Sequence, residues 1–530
     1  MKKVLPVLAL AATSLLACAA PPADGDEEAS GVVEYEAPFT SDVATLLDFE
    51  FDGEVLTNNA ANPRGAVRAQ LLYTVGLFNE HHSVARLERL VLTNLTTAAA
   101  SGGLTRVRYH AKLPVAWGSK TDLPSTFSVV LPRRTDPTGQ QAFLTKYGAA
   151  CADESGANLA NLWYHFRPEG CTIDAADVLR ANAAVRVSTQ NTVAKYPEFH
   201  KVWEDGALTA VAVFGKYEIG GTGPGDAGVA AYEGFLSSTR ARFSTLTETR
   251  VSPTDVVFAG TLPGGGRVQI TALLVDELRS ASAAFDTRYS ELTAGADVIL
   301  YNGHAGLGSN VRALEQKGRF VPGKYQIFFI NGCDTFAYVD DTLAKKRALL
   351  NADDPSGTKY MDVVTNAMPA YFSSMPDAAL ALLGSLADRA APKSWISIFR
   401  GIDAAQVVTV TGEEDNVFNA SYVSKKRWDR TETGAVAKGA SVSYETEALP
   451  VGSYSFVMSP DGAAPGGDAD LYVRVGAAPT ATSTYKCPSY VANSNEKCVV
   501  KLTAPSKIYF RAVGDKTGVS SKYRIDAYQN

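Results

Sequence analysis

YQIFFINGCDTFAY, residues 325–338, decides how the middle of this chain is read. Ile327 to Ile330 form an apolar run suited to a buried strand and short for a helix. Asn331 and Gly332 end the run, and Cys333 follows at once. A similar stretch, DVILYNGHAGLG (297–308), ends in Asn302 and Gly303 and delivers His304. Glycines at 303, 306 and 332 permit tight turns at both places. Residues 309–317, closed by Gly318, pattern as a helix between the two strands. Strand, helix and strand in this order form a parallel pair whose carboxyl ends share one sheet edge. That arrangement brings His304 and Cys333 to the same edge.

Working outward, residues 206–414 alternate apolar runs with amphipathic stretches, which predicts an α/β domain with a mainly parallel sheet. Strands are expected at 208–214, 255–260, 297–303, 325–332 and 362–367, with SWISIF (394–399) as a further one. Helices are expected at 226–243, 276–292, 309–317, 342–350 and 376–390. Residues 38–205 read as an α+β domain, with strands in LLDFEFDGEVL, LTRVRYHAKLPVAW and FSVVLP; residues 64–95 fit helix or strand equally well. Residues 415–435 read as a linker. From 436 to 530, short alternating segments broken by Gly, Pro, Asp and Asn predict an all-β sandwich.

The compartment bears on the cysteine. Lys2 and Lys3 precede an apolar stretch, Val4 to Leu16, too short to span a bilayer. Leu15-Leu16-Ala17-Cys18 resembles the lipobox of bacterial lipoproteins, which implies cleavage of a signal peptide and lipidation of Cys18, with an ordinary signal peptide as the alternative. Residues 19–37, rich in Ala, Pro, Asp and Glu, read as a disordered tether. The expected location is exported and membrane-anchored, at the outer membrane or cell surface. A net charge of −6 over 530 residues gives no sign of nucleic-acid binding. Of six cysteines, Cys18 is taken by lipid, and export favours pairing of Cys151 with Cys171 and Cys487 with Cys498. Cys333 is left over, either buried and inert or a reactive thiol.

An imidazole beside a thiol favours the thiolate and can later protonate an amine leaving group. Backbone N–H groups at the two turns, near Ala305 and Cys333, suit a tetrahedral oxyanion. A strand ending in Gly303-His304, a helix, and a strand ending in Cys333, with 29 residues from His304 to Cys333, resembles the caspase-like cysteine peptidases of clan CD, the gingipain, clostripain and legumain group. The resemblance covers residues 206–410 and implies a Cys333/His304 dyad that hydrolyses peptide bonds without a required cofactor. The family usually places Gly directly after the histidine; here Ala305 stands there and Gly306 follows. In that family the segment after the cysteine helps build the specificity pocket, which draws attention to Asp362.

A second resemblance covers 436–530. GGDADLYV (466–473), with Cys487 and Cys498 around an Asn-rich loop, resembles the bacterial pre-peptidase C-terminal domain, a β-sandwich that accompanies secreted peptidases. Asp468 and Asp470 suit Ca²⁺ or simply order a turn. Gly223-Pro-Gly-Asp-Ala-Gly228 matches a dinucleotide motif in form only, because the expected export removes the ligand supply. His81, His82, His110, His165 and His200 sit in no metal motif. The expected partners are a protein or peptide substrate and, through lipid, a membrane. Two rivals remain: a non-catalytic surface lipoprotein that binds through a caspase-like scaffold, and an adhesin driven by the C-terminal sandwich.

Overall fold

The computed structural model describes residues 38–154, 156–192, 195–419, 428–461, 468–479, 494–514 and 520–529. The signal segment, Cys18, the tether and Cys487 lie outside the described residues. The chain divides into two compact units, 1–420 and 421–530, and the expected α+β and α/β regions both fall within the first.

The largest sheet of the first unit has nine strands. Their order is Phe39–Ser41, Val408–Thr411, Met361–Asn366, Gln326–Asn331, Val298–Asn302, Ala207–Gly215, Arg267–Val275, Asp255–Thr261 and Thr247–Ser252. The five strands from Met361–Asn366 to Arg267–Val275 are mutually parallel, and antiparallel strands extend both edges. Counted along the chain, the parallel strands lie in the order 2-1-3-4-5. The direction of connection therefore reverses between Ala207–Gly215 and Val298–Asn302, the place where open α/β sheets bind ligands.

Successive strand residues face opposite ways. Val298, Leu300, Ile327 and Phe329 join a buried cluster with helices Ala227–Arg242, Met375–Ala387 and Trp395–Phe399. Ile299, Tyr301, Phe328 and Ile330 join another with helices Ala283–Thr293, Ser309–Lys317 and Thr342–Leu350. Burial on both faces is why these strands read as unbroken apolar runs.

Four expectations need correction, the first being the linker at 415–435, whose end is strand Asp429–Val436. Asp255–Thr261 is not one of the parallel strands; it forms an antiparallel hairpin with Arg267–Val275, which takes the parallel place beside Ala207–Gly215. SWISIF is a helix, Trp395–Phe399, because Ser394 caps it through the Ser397 N–H and Trp395, Ile398 and Phe399 share its buried face. The helix expected from 276 begins only at Ala283, where Ser282 accepts from the Phe285 N–H.

The second sheet of the first unit is antiparallel, in the order Val84–Ala85, Thr105–Trp117, Thr45–Thr57, Val178–Val187, Thr126–Pro132, with Val91–Ala99 also paired to Thr105–Trp117. The ambiguous stretch 64–95 resolves into helices Pro63–Leu71 and Thr74–Asn79 followed by strands. Asn62 caps the first helix by accepting from Gly65. A buried cluster including Val75, Val84, Ala116, Phe336 and Met368 joins the two sheets.

The second unit contains a four-stranded sheet (Asp429–Val436, Ser521–Gln529, Gly452–Pro460, Glu496–Leu502) and a three-stranded one (Ser441–Glu445, Ile508–Gly514, Ala469–Val475), all antiparallel. Phe456, Val500, Phe510 and Val473 come from both and share one core. The alternating pattern of these strands is thus one face buried and one face wet.

At the carboxyl edge of the nine-stranded sheet, three neighbouring strands each end in a fully buried asparagine, Asn302, Asn331 and Asn366. Asn331 donates to Asn302 Oδ1 at 3.0 Å, and Asn366 donates to Asn331 Oδ1 at 2.8 Å. Replacing Asn331 by Ala strands an acceptor on one neighbour and a donor on the other. We expect Asn331→Ala to cost about 2–4 kcal/mol in chemical denaturation; a cost under about 0.5 kcal/mol would show that the ladder does not hold the edge.

Candidate active site

Asn302 and Asn331 are directly paired across the parallel strands, and His304 and Cys333 each lie two residues beyond that pair. The register therefore delivers both side chains to one cleft of about 520 Å³ at the carboxyl edge. The residues after the first two parallel strands, Lys216 and Tyr217 and then Asp276 and Glu277, line the same cleft.

The two turns are packed against each other. A Cβ at Gly332 would lie 2.7 Å from the Gly303 carbonyl oxygen and 3.3 Å from the Ala305 nitrogen, so only glycine allows this approach. The Ala305 backbone N–H has no hydrogen-bond partner among the described residues, and the Cys333 N–H is directed at its own thiol. The His304 carbonyl accepts from Tyr301 Oη and Asn310 Nδ2, both at 2.8 Å, which pins the turn. The imidazole itself is held by rings: Tyr217 and Phe372 each have their centroid 5.0 Å from it. Gly306, Leu307 and Gly308 all have positive φ, so the loop after His304 is wound into the left-handed region.

Cys333 is the free cysteine among the described residues and is partly buried. Its Sγ lies 3.9 Å from the Ala370 carbonyl oxygen, and no hydrogen bond links it to the His304 ring in this geometry. Burial, with the charge of Asp334 next, pushes the Cys333 thiol up to about 11. The resting group is therefore a neutral thiol at physiological pH.

Asp334 is a site residue that the sequence did not disclose. It is fully buried, with φ of 53°, and heads the short helix Thr335–Tyr338. Tyr164 Oη donates to it at 2.8 Å and Asn79 Nδ2 at 3.1 Å, both from the N-terminal region. Burial raises its pKa to about 6. Tyr164, His165 and Glu154, from the loop closed by the Cys151–Cys171 disulfide, also line the cleft. The carboxylates there already have basic partners: Asp276 with Lys216 at 2.7 Å, Glu154 with His165 at 2.8 Å and Glu277 with Arg279 at 2.7 Å.

Other expected residues lie elsewhere. Asp362 is fully buried near the amino end of its strand, opposite the carboxyl edge, so it cannot shape a pocket beside Cys333. Asp226, within the glycine-rich decoy, caps helix Ala227–Arg242 and accepts from the Tyr217 and Glu218 N–H groups, a structural role. His81 stacks on Trp117, and His110, His165 and His200 stand beside carboxylates. Asp470 is on strand Ala469–Val475 and Asp468 just precedes it, its N–H donating to Ser521 Oγ. Cys498 is buried on strand Glu496–Leu502. Among the described residues, no group of three or more His, Cys, Asp and Glu is placed to hold a metal ion, and no helix is long and apolar enough to cross a membrane.

No protein-family model matches the chain, and no curated protein matches it. Solved structures that it resembles include a family GH115 4-O-methyl-α-glucuronidase with specificity for decorated arabinogalactans: 11% identity, 36% of this chain, 32% of that one, TM-score 0.13. Another is a Bacillus licheniformis lipase in propeptide form: 9% identity, 61% of this chain, 75% of that one, TM-score 0.16. The chain spans about a third of the glucuronidase's length. Neither likeness is close enough to carry a fold or an activity across.

Asp334 is ionised above about pH 6 and its charge opposes the thiolate. Asp334→Asn removes that charge, so the apparent pKa of Cys333 falls and its alkylation at pH 8 accelerates relative to wild type. An unchanged pH–rate curve for iodoacetamide labelling would contradict the electrostatic account of this thiol.

Proposed function

We propose that the protein is a caspase-like cysteine endopeptidase, carried on the cell envelope by lipid at Cys18. The observation that carries this reading is the register that sets His304 and Cys333 two residues beyond one paired position, at the mouth of one cleft. The order of the parallel strands supports it, because the cleft lies where such sheets bind ligands. The Ala305 N–H, without a partner among the described residues, supports it further as a donor available to an oxyanion. The C-terminal unit, which resembles a pre-peptidase C-terminal domain, fits a secreted peptidase by association only.

In the proposed reaction the scissile carbonyl enters between the two turns. His304 takes the Cys333 proton as sulfur bonds to the carbonyl carbon, which answers the high resting pKa of the thiol: deprotonation accompanies attack. The Ala305 and Cys333 amides receive the oxyanion. The C–N bond then breaks as His304 returns the proton to the leaving amine. Water, deprotonated by His304, cleaves the thioester and restores the thiol. This sequence requires no cofactor.

One observation favours a second reading, a binding scaffold: the thiol is neutral at rest and makes no hydrogen bond to His304. A diverse peptide library, read by mass spectrometry for new termini, separates the two. We expect cleavage by the wild type and a loss of about a thousandfold or more in Cys333→Ala and in His304→Ala. Peptide capture without cleavage, unaltered in both variants, would establish the scaffold.

A further inference from the structure

At the amino edge of the nine-stranded sheet, away from Cys333, two buried carboxylates stand in an acceptor-rich pocket. Asp362 and Glu413 are both fully buried. Asp362 Oδ2 accepts from Tyr325 Oη at 2.5 Å and Asn416 Nδ2 at 2.7 Å. Glu413 Oε1 accepts from Thr40 Oγ1 at 2.7 Å and Thr192 Oγ1 at 3.2 Å. In each carboxylate the donors crowd one oxygen and leave the other bare: Asp362 Oδ1 and Glu413 Oε2 are buried without a partner. Asn416 Oδ1 and Glu414 Oε2 are in the same state.

No basic side chain compensates Asp362 or Glu413 among the described residues. Lys195 is directed to the Glu414 and Asn416 carbonyl oxygens, and Lys201 and His200 stand beside Glu198. Gly412, with φ of 93°, turns the chain so tightly that a Cβ there would lie 2.7 Å from the Met361 carbonyl oxygen, which sets Glu413 beside the start of the Asp362 strand.

Bare acceptor oxygens with no donor in reach call for a cation, and two uncompensated carboxylates match a charge of +2. We propose that Asp362, Glu413 and Asn416 bind a hard divalent cation, with all-oxygen ligands favouring Ca²⁺. The set holds two carboxylates and a carboxamide. It would fasten the terminal strand Phe39–Ser41 and the last residues of the first unit to the sheet, and it is distinct from the Asp468–Asp470 pair.

The test uses the full-length protein stripped with EGTA and then titrated with CaCl₂ or MgCl₂. We expect about one equivalent of Ca²⁺ assigned to this pocket and a Tm that rises with free Ca²⁺. Asp362→Asn and Glu413→Gln should each bind one ion fewer and lose this part of the Tm response. If the single variants fail to fold, the double variant D362N/E413Q, which removes both charges at constant size, should fold with a Tm indifferent to an ion at this place. Absence of bound metal in the wild type overturns the proposal, as does Ca²⁺ binding undiminished in the variants. A metal-independent gain in stability as pH falls through about 7, where Asp362 gains its proton, also overturns it by assigning the pocket to a shared proton.

Discussion

The proposed active site depends on one level edge. Asn302, Asn331 and Asn366 are hydrogen-bonded side to side at the carboxyl ends of three parallel strands. Asn331, bonded to both neighbours, resists displacement, because a slip strands the Asn302 acceptor and the Asn366 donor away from water. The ladder thus holds the strand ends level, and the residues that follow, Gly303-His304 and Gly332-Cys333, inherit their alignment from it. The glycine at 332 completes the arrangement by letting the two turns touch.

The same edge is reached from the N-terminal region. Tyr164 and Asn79 bind Asp334 across 170 and 255 residues of sequence, and the disulfide-closed loop lines the cleft. The N-terminal region is therefore part of the electrostatic environment of the thiol. By holding Asp334 buried and ionisable beside Cys333, it adds to burial of the thiol itself in keeping the resting thiol protonated. In the proposed mechanism this resting state makes His304 a true base in the attack step, with the imidazole placed by Tyr217 and Phe372.

Much of the central sheet was legible in the sequence. Runs such as Ile327–Ile330 and Val298–Tyr301 are buried on both faces, and two-sided burial leaves a signature that reads directly. Arg267–Val275 was missed because Arg267, Gln269 and Thr271 break up its apolar start, with Arg267 and Gln269 exposed. SWISIF was misread because a short apolar run does not separate strand from helix; the Ser394 cap decides it. The roles of Tyr164, Asn79 and Asp334 could not be read at all, since they exist only through contacts distant in sequence. Asp362 shows the reverse: its chemistry suggested a pocket, and its place near the start of a parallel strand puts it at the wrong edge.

The central claim is that Cys333 acts as a nucleophile because His304 stands beside it. The most direct measurement is the intact mass of the protein after reaction with a panel of peptidyl chloromethyl ketones, with the adduct located by fragmentation. The account predicts peptide-dependent modification of Cys333, slowed about a hundredfold or more in His304→Ala. Modification that ignores both the peptide portion and His304, or a Cys333 that no member of the panel reaches, would contradict it.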